Sequence, residues 1–168
     1  MSPDLSSSKI KQLSLAEAKE IALWQYEHPY SLYNLSEDPE DIDELMDGSY
    51  YSVRNLEDKL IGFFCYGQSA QVPAGIREGK YLDHTALDIG LGMKPNLTGR
   101  GLGSSFLSVG LEFATGIKEF QRFRLSVAAF NRRATSLYEK TGFKPIDTFT
   151  NPYKGENMEF MIMEKKKE

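Results

Sequence analysis

Residues 91–104 read LGMKPNLTGRGLGS, a short apolar run that meets a proline and then three glycines before a helix-like sequence. Gly99, Gly101 and Gly103 alternate through the turn. Because glycine lacks a Cβ atom, the backbone there can curl with its N–H groups facing one point and can approach a ligand closely. A helix that starts at the turn adds unpaired N–H groups and the positive end of its dipole. The pattern predicts a phosphate-binding loop, although a purely structural strand-to-helix turn would carry the same glycines.

The spacing of these glycines differs from two common phosphate motifs. The chain has no Walker run of Gly, four residues and Gly-Lys-Ser/Thr, and no Gly-x-Gly-x-x-Gly of a dinucleotide site. The loop resembles the Arg/Gln-x-x-Gly-x-Gly/Ala motif of the GNAT superfamily of N-acetyltransferases, with Thr98 where Arg or Gln is usual. In that family the loop holds the pyrophosphate of acetyl-coenzyme A (acetyl-CoA). The resemblance implies a cofactor-binding loop made of Thr98, Gly99, Arg100, Gly101, Leu102, Gly103 and Ser104.

A second stretch, residues 122–143, reads RFRLSVAAFNRRATSLYEKTGF. Its first half alternates apolar with other residues, which predicts a strand, and Asn131 is a good N-cap for a helix that ends at Gly142. Asn131 and Tyr138 are seven residues apart and therefore lie near one face of that helix. Taken alone, they could be only a cap and a half-buried helix residue. The stretch resembles the other GNAT signature, a strand followed by Asn, Ala, Tyr and Gly-Phe.

The resemblance also implies how these residues act. In the resembled family the strand before the glycine loop splays from its neighbour, and the pantetheine arm of the coenzyme pairs with the exposed backbone. Leu91 and Met93 would offer those backbone groups, and the Met93 N–H would stabilise the oxyanion. Tyr138 would protonate the coenzyme A thiolate, and Asn131 would hydrogen bond to the pantetheine chain. We expect direct acetyl transfer from acetyl-CoA to a primary amine; the alternatives are a non-catalytic acetyl-CoA sensor and a protein-interaction domain with a structural loop.

The general base has no clear position in the sequence. Some members of the resembled family carry a glutamate five residues before the Asn, and Ser126 stands there in this chain. Asp88 and Asp83 precede the glycine loop and are the candidates for a base that acts through water. Ordinary solvated or structural roles are the alternative for both.

The amine acceptor is expected to enter beside a tyrosine-rich segment near the N-terminus. Tyr30 and Tyr33, with the acidic run at residues 37–44, would suit a cationic amine because aromatic rings attract cations. A solvated acidic face is the alternative interpretation of that run. A small amine, an amino-acid-like compound and a protein N-terminus all remain open as acceptors.

The composition fits one globular domain over residues 1–168, with polar, Ser-rich residues 1–13 expected to be loose. A net charge of -4, with no basic patch beyond residues 165–167, argues against nucleic acid as a partner. Cys65 is expected to be a buried strand residue, and the 2 histidines are too isolated for a metal site. Because the chain shows no signal-peptide core and no apolar run of about 18 residues, we expect no membrane contact and a cytoplasmic monomer or homodimer.

The coarse order of elements predicts an α/β (α+β) fold. As in the resembled family, we expect a mixed, mostly antiparallel sheet flanked by about four helices, with a splayed central strand pair. Ser14 and Glu17 form a capping box before the first helix. The helices are expected over about 15–26, from about 39, over 103–116 and after 131. The strands are expected at 50–53, 60–66, 87–93 and 123–129 and in a last pair around a loop at 150–157, whereas 67–82 reads as a loop.

Overall fold

The structure is a computed structural model that describes Leu5 and residues 7–167. Its seven strands and five α-helices form a mixed α/β fold in which most strand pairs are antiparallel, which confirms the expected fold class. The chain divides into two compact units: unit 1 comprises Met1–Cys65 and Leu91–Ile117, and unit 2 comprises Tyr66–Gly90 and Lys118–Glu168. Each unit is described in turn.

Unit 1 begins with a strand that the sequence did not reveal. β1 (Lys9–Gln12) pairs antiparallel with β2 (Tyr50–Arg54), so the expectation that residues 1–13 are loose is wrong for this segment. Most of β1 is exposed, and an edge strand held by backbone hydrogen bonds needs no apolar alternation to form. Residues 1–4 and 6 lie outside the described part of the chain.

The two helices that follow β1 begin where the sequence predicts them. α1 (Leu15–Ala22) has the complete capping box of Ser14 and Glu17. It ends about four residues earlier than expected, because the N–H groups of Leu23 and Trp24 close a tighter turn onto the carbonyls three residues back. α2 (Pro39–Leu45) has proline in its first turn, where the missing N–H costs nothing.

A hairpin and a helix build the rest of unit 1. β2 pairs with β3 (Leu60–Tyr66), and the end of β4 (Ala86–Met93) lies next to β3. The core includes Phe64 of β3 stacked on Phe106 of α4 (Gly103–Ala114), with ring centroids 4.6 Å apart. A Cβ atom at Gly110 would come within 2.2 Å of the Phe64 ring, so glycine is required for α4 to pack this closely.

Unit 2 carries the strand order β4-β5-β7-β6. The pairs of β5 (Arg122–Ala128) with β7 (Glu156–Lys166) and of β7 with β6 (Lys144–Tyr153) are antiparallel. β4 and β5 are parallel, and their ladder covers only Ala86–Asp88 and Arg122–Arg124. Ile89 and Gly90 continue β4 beyond the last paired residues of this ladder.

Three local features of unit 2 test the sequence interpretation. α5 (Arg132–Thr141) begins at Asn131 and ends at Gly142, whose φ is +110°, as expected. Residues 67–82 are not wholly a loop, because α3 (Pro73–Arg77) forms there; five residues are too few for a periodic signal. The last hairpin is tighter than expected, since only Lys154 and Gly155, both with positive φ, join β6 to β7.

Candidate functional site

In unit 1, β4 leads through a short 3-10 turn (Pro95–Leu97) into the glycine loop and then α4. Gly99 and Gly101 have φ values of +73° and +76°, a left-handed conformation that favours glycine. A Cβ atom added at Gly101 would meet no atom within 4 Å. The Cβ side of Gly101 therefore faces open space, which leaves room for a ligand beside its backbone.

The first turn of α4 supplies hydrogen-bond donors beside this loop. The helix has no side-chain cap at Leu102, and its first internal hydrogen bond runs from the Phe106 N–H to the Leu102 carbonyl at 2.9 Å. The N–H groups of Gly103, Ser104 and Ser105 precede that bond, so their partners must come from outside the helix. Such a turn, with the positive end of the helix dipole, stabilises a bound anion.

Thr98 stabilises the turn before the loop. Its hydroxyl donates to the Pro95 carbonyl at 2.8 Å, and its N–H donates to the same oxygen at 3.2 Å. Thr98 thus closes the 3-10 turn, while Arg100 and Gly101 lie exposed in the loop that follows. The residue that replaces the usual Arg or Gln therefore has a structural partner of its own.

Gly92, near the end of β4, packs against a neighbouring side chain. A Cβ atom at Gly92 would lie 2.4 Å from Cε1 of Phe63, so the Phe63 ring occupies the space beside it. This close approach explains Gly92 by packing within unit 1. Leu91 and Met93, the residues expected to pair with the coenzyme, are partly exposed.

Tyr26 lies at the end of β4, where sequence reasoning had placed only backbone groups. Its hydroxyl donates to the carbonyl oxygen of Met93 at 2.6 Å. Burial raises the pKa of Tyr26 to about 12, so the phenol remains a protonated donor at neutral pH. The Lys94 N–H donates to the Ile61 carbonyl at 2.9 Å, so the peptide between Met93 and Lys94 is held at both ends.

Tyr30 and Tyr33, the candidate acceptor-binding residues, open and close a second 3-10 turn (Tyr30–Tyr33). Tyr30 is partly exposed and Tyr33 is 38% exposed. The turn lies between Tyr26 and Asn34, and the Asn34 side-chain oxygen accepts the Tyr26 N–H at 2.7 Å. The tyrosine-rich segment is thus closed by a hydrogen bond to the same residue that contacts Met93.

In unit 2, Asp88 is buried in an ion pair. Its two carboxylate oxygens accept from Nε and Nη2 of Arg124 at 2.7 and 2.8 Å, and the amide of Gln71 donates to one of them at 2.8 Å. Asp88 and Arg124 are 4% and 2% exposed. A carboxylate that is fully paired and closed off from solvent is poorly placed to accept a proton from a substrate, so Asp88 is not suited to be the general base.

The other base candidates are also engaged. Asp83 is exposed, pairs with Arg122 and accepts from Thr85, and these contacts hold the pKa of Asp83 below its usual value. Ser126, at the position of the family's glutamate, shares a 2.6 Å hydrogen bond with the hydroxyl of Tyr81. Burial raises the pKa of Tyr81. Neither hydroxyl is a base near neutral pH.

Asn131 and Tyr138 belong to α5 in unit 2. The side-chain oxygen of Asn131 accepts the Ala134 N–H at 3.1 Å, which confirms it as the N-cap. Tyr138 is 8% exposed, and its ring centroid lies 6.0 Å from that of Phe143. The cap function of Asn131 is confirmed, whereas Tyr138 is buried rather than half-buried; a further role for each side chain stays a prediction.

Unit 2 also contains an open pocket of about 290 Å³ between the start of α5 and the last hairpin. Two carboxylates and two aromatic rings contribute to its wall. The lining residues are Ala129, Phe130, Tyr153, Glu156, Asn157, Met158 and Glu159.

Residues 15–143 match the sequence profile of the acetyltransferase (GNAT) family. The chain belongs to the acetyltransferase (GNAT) family. Enzymes of this family use acetyl-CoA as their co-substrate, so the chain is an acyltransferase by family. The match begins at the first residue of α1, ends just after α5 and includes both signature stretches. No curated protein matches the sequence.

Solved GNAT structures share the fold at low sequence identity. An acetyltransferase from Bacillus anthracis has a TM-score of 0.73 at 13% identity, over 95% of this chain and 94% of that one. A chimera of the Vibrio cholerae spermidine N-acetyltransferase SpeG with hSSAT has a TM-score of 0.69 at 19% identity, and the match covers 94% of this chain and 93% of that one. Vibrio cholerae SpeG itself has a TM-score of 0.69 at 18% identity, and the match covers 96% of this chain and 94% of that one. At these identities the likeness is one of fold.

Among the residues that the structure describes, no helix is both long and apolar enough to span a membrane. No three of their His, Cys, Asp or Glu side chains are grouped so that they could hold a metal ion.

Two residues of this GNAT chain matter more than the sequence indicated. Tyr26 was one aromatic residue among several in its segment, and Arg124 was one polar position of a strand pattern. The signal for Arg124 was available, because a charged residue flanked by apolar ones on a central strand needs a buried partner. No sequence signal points from Tyr26 to Met93, which are 67 residues apart.

Proposed function

We propose that this chain is an N-acetyltransferase that moves the acetyl group of acetyl-CoA directly to a primary amine. The observation that carries the proposal is the glycine loop of unit 1, which opens into an uncapped helix N-terminus. The positive φ and open space at Gly101 fit a backbone cradle for a pyrophosphate. We assign the pyrophosphate to the backbone N–H groups of residues 99–104, with Thr98 supporting the loop by closing the turn before it.

We assign the end of β4 to bind the pantetheine arm and the acetyl group. Acetyl-CoA supplies a thioester carbonyl that an amine can attack. We assign Leu91 and Met93 to pair with the pantetheine arm through their backbones. The Met93 N–H is assigned as the donor to the developing oxyanion, since a fixed backbone donor gains more in the transition state than a mobile one.

Two side chains of unit 2 complete the assignment. Tyr138 is assigned as the general acid that returns a proton to the departing thiolate. Asn131 is assigned to the pantetheine chain through its amide, in addition to its cap. Both assignments rest on the positions that these residues hold in the family signature.

We assign no side chain as general base. Asp88 is fully paired, Asp83 is held as a carboxylate by its partners, and the Ser126 and Tyr81 hydroxyls are too weakly basic. The reaction then depends on the fraction of acceptor amine that is already unprotonated. The rate at low acceptor concentration should rise with pH up to the pKa of that amine.

The acceptor is proposed to be a cationic amine that approaches the segment Tyr30–Tyr33. Aromatic rings attract cations, and the acidic residues of α2 follow this segment in the chain. SpeG, which shares the fold, is a spermidine/spermine N-acetyltransferase, so polyamines belong in an acceptor screen beside amino-acid-like amines and a short peptide with a free N-terminus.

Calorimetry and a thiol-release assay test the proposal in sequence. Coenzyme A and acetyl-CoA should bind the wild-type chain, and at least one amine in the screen should release the free thiol. Binding without turnover on any amine would favour a sensor. Absence of binding for both forms of the coenzyme would show that the loop is a structural turn.

A further inference from the structure

The end of β4 is fixed by a side chain from outside the sheet. The Tyr26 hydroxyl donates to the Met93 carbonyl at 2.6 Å, and the Lys94 N–H donates to the Ile61 carbonyl at 2.9 Å. Because these bonds hold both ends of one peptide group, they restrict ψ of Met93 and φ of Lys94. The backbone direction of Met93, and with it the aim of its own N–H, is therefore coupled to Tyr26.

Tyr26 is in turn anchored to the tyrosine-rich segment. Its N–H donates to Oδ1 of Asn34 at 2.7 Å, and Nδ2 of Asn34 donates to Oε1 of Gln25 at 3.1 Å. Asn34 thereby closes residues 26–34 into a loop whose first side chain contacts β4. Movement of this loop and movement of the Met93 peptide cannot be independent while both hydrogen bonds are made.

A second line of contacts runs from the same region to the neighbouring residue of β4. Trp24 is 7% exposed, and its ring centroid lies 6.3 Å from that of Phe63, whose ring covers Gly92. The indole Nε1 of Trp24 is buried without a hydrogen-bond partner among the described residues. Trp24 is the only tryptophan of the chain, so its fluorescence reports on this region alone.

We propose that Tyr26 is a positioning residue that sets the Met93 peptide at the acetyl site and couples it to the acceptor-side loop at residues 26–34. The inference rests on the proposed function, since it needs the acetyl group at the end of β4. Tyr26 lies outside both family signatures. The coupling predicts that coenzyme binding at the end of β4 changes the conformation of the loop at residues 26–34. Within the Tyr26 side chain the hydroxyl makes the contact with Met93, and the Tyr26 N–H makes the contact with Asn34.

The Tyr26→Phe variant tests this by removing one oxygen atom. Tyr51→Phe is the matched control, since Tyr51 packs on Phe113 elsewhere in unit 1. In wild type and the control, coenzyme A should change the Trp24 emission on binding; in Tyr26→Phe that change should be largely lost, while the Kd from calorimetry stays within about 3-fold. The loss of one hydrogen bond should lower kcat by about 3- to 10-fold.

Asn34→Ala is a second variant, which keeps the Tyr26 hydroxyl and removes the acceptor of the Tyr26 N–H. We expect it to raise the KM of the acceptor and to reduce the Trp24 response, with coenzyme affinity again nearly unchanged. If Tyr26→Phe does not fold, as judged by circular dichroism, Asn34→Ala carries the test.

An unchanged Trp24 response and an unchanged kcat in the folded variants would overturn the inference while leaving the proposed function intact. Failure of the wild-type chain to bind coenzyme A would overturn the proposed function first, and this inference with it.

Discussion

Asp88 and Arg124 face each other as the last residue pair of the parallel β4–β5 ladder, and their side chains form a buried ion pair with two hydrogen bonds. The Arg124 guanidinium also lies 5.2 Å from the ring centroid of Tyr81 and donates to the Asp83 carbonyl at 3.2 Å. The pair therefore has partners on several sides. Asp88, which looked like a candidate base in the sequence, is thus fully engaged by Arg124 and Gln71 at the end of the paired β4–β5 ladder.

Removal of one member of this pair should destabilise the protein strongly. Asp88→Ala leaves the buried guanidinium of Arg124 without its carboxylate, and breaking a buried pair in this way costs about 3–5 kcal/mol. Urea denaturation followed by circular dichroism measures the free energy of unfolding. The double variant Asp88→Leu/Arg124→Met should recover most of the loss, because apolar residues of similar volume need no partner. If Asp88→Ala is as stable as wild type, the pair does not hold unit 2 together.

Gly101→Val should abolish coenzyme binding with only a modest loss of stability. The φ of +76° makes any side chain strained there, at a cost of about 1–2 kcal/mol, and the added methyl groups would fill the open space assigned to the pyrophosphate. Gly67→Val is the matched control, because Gly67 has a φ of +92° and equally open surroundings but lies outside the loop. Calorimetry with coenzyme A should separate the two variants. Equal affinities would place the pyrophosphate elsewhere.

Two substitutions of Asn131 should separate its cap from its proposed contact with the coenzyme. Asn131→Ala removes the acceptor for the Ala134 N–H and should cost about 1 kcal/mol of stability as well as coenzyme affinity. Asn131→Asp keeps an oxygen acceptor for the cap and removes the amide donor, so stability should remain and affinity should fall. Thermal denaturation and calorimetry measure the two quantities. An Asp variant with wild-type affinity would leave Asn131 with the cap alone.

Tyr138→Phe should reduce turnover without weakening coenzyme binding. If the hydroxyl protonates the thiolate, its loss should lower kcat by about 10²-fold or more, since general-acid catalysis contributes at least that much. The ring stays in its position beside Phe143, so the fold should be preserved. Steady-state kinetics with an acceptor from the screen gives kcat, and calorimetry gives the Kd of coenzyme A. A variant with wild-type kcat would exclude Tyr138 from the mechanism.

The parts of the fold that the sequence predicted are those with a local physical signature. Ser14 and Glu17 satisfy each other's backbone within one helical turn, and Asn131 and Gly142 mark both ends of α5. The sequence also indicated a curled backbone at Gly99 and Gly101, and both residues have positive φ. Each of these features depends on residues that are close in sequence, so a short window of sequence is enough to predict it.

The parts that sequence reasoning missed depend on distant partners. β1 exists because its backbone pairs with β2 about 40 residues later, and its own side chains carry no apolar alternation. The contact of Tyr26 with Met93 and the pairing of Asp88 with Arg124 join positions that only the fold brings together. The glycine loop was therefore predictable from the sequence, whereas these long-range contacts were not.

The capping carboxylate of Glu17 should make stability depend on pH in the acid range. Burial disfavours its charge, but hydrogen bonds from Ser14, Ser52 and Arg54 outweigh burial and hold the pKa of Glu17 below its ordinary value of 4.5. A carboxyl whose pKa is lower in the folded state stabilises the protein above the unfolded pKa, and this contribution is lost as pH falls through the folded value. Glu17→Gln should therefore be less stable than wild type at pH 7, and the two should converge as pH falls below 4.5. Urea denaturation at several pH values measures the difference, and a gap between the two proteins that stays constant down to acid pH would contradict the assignment.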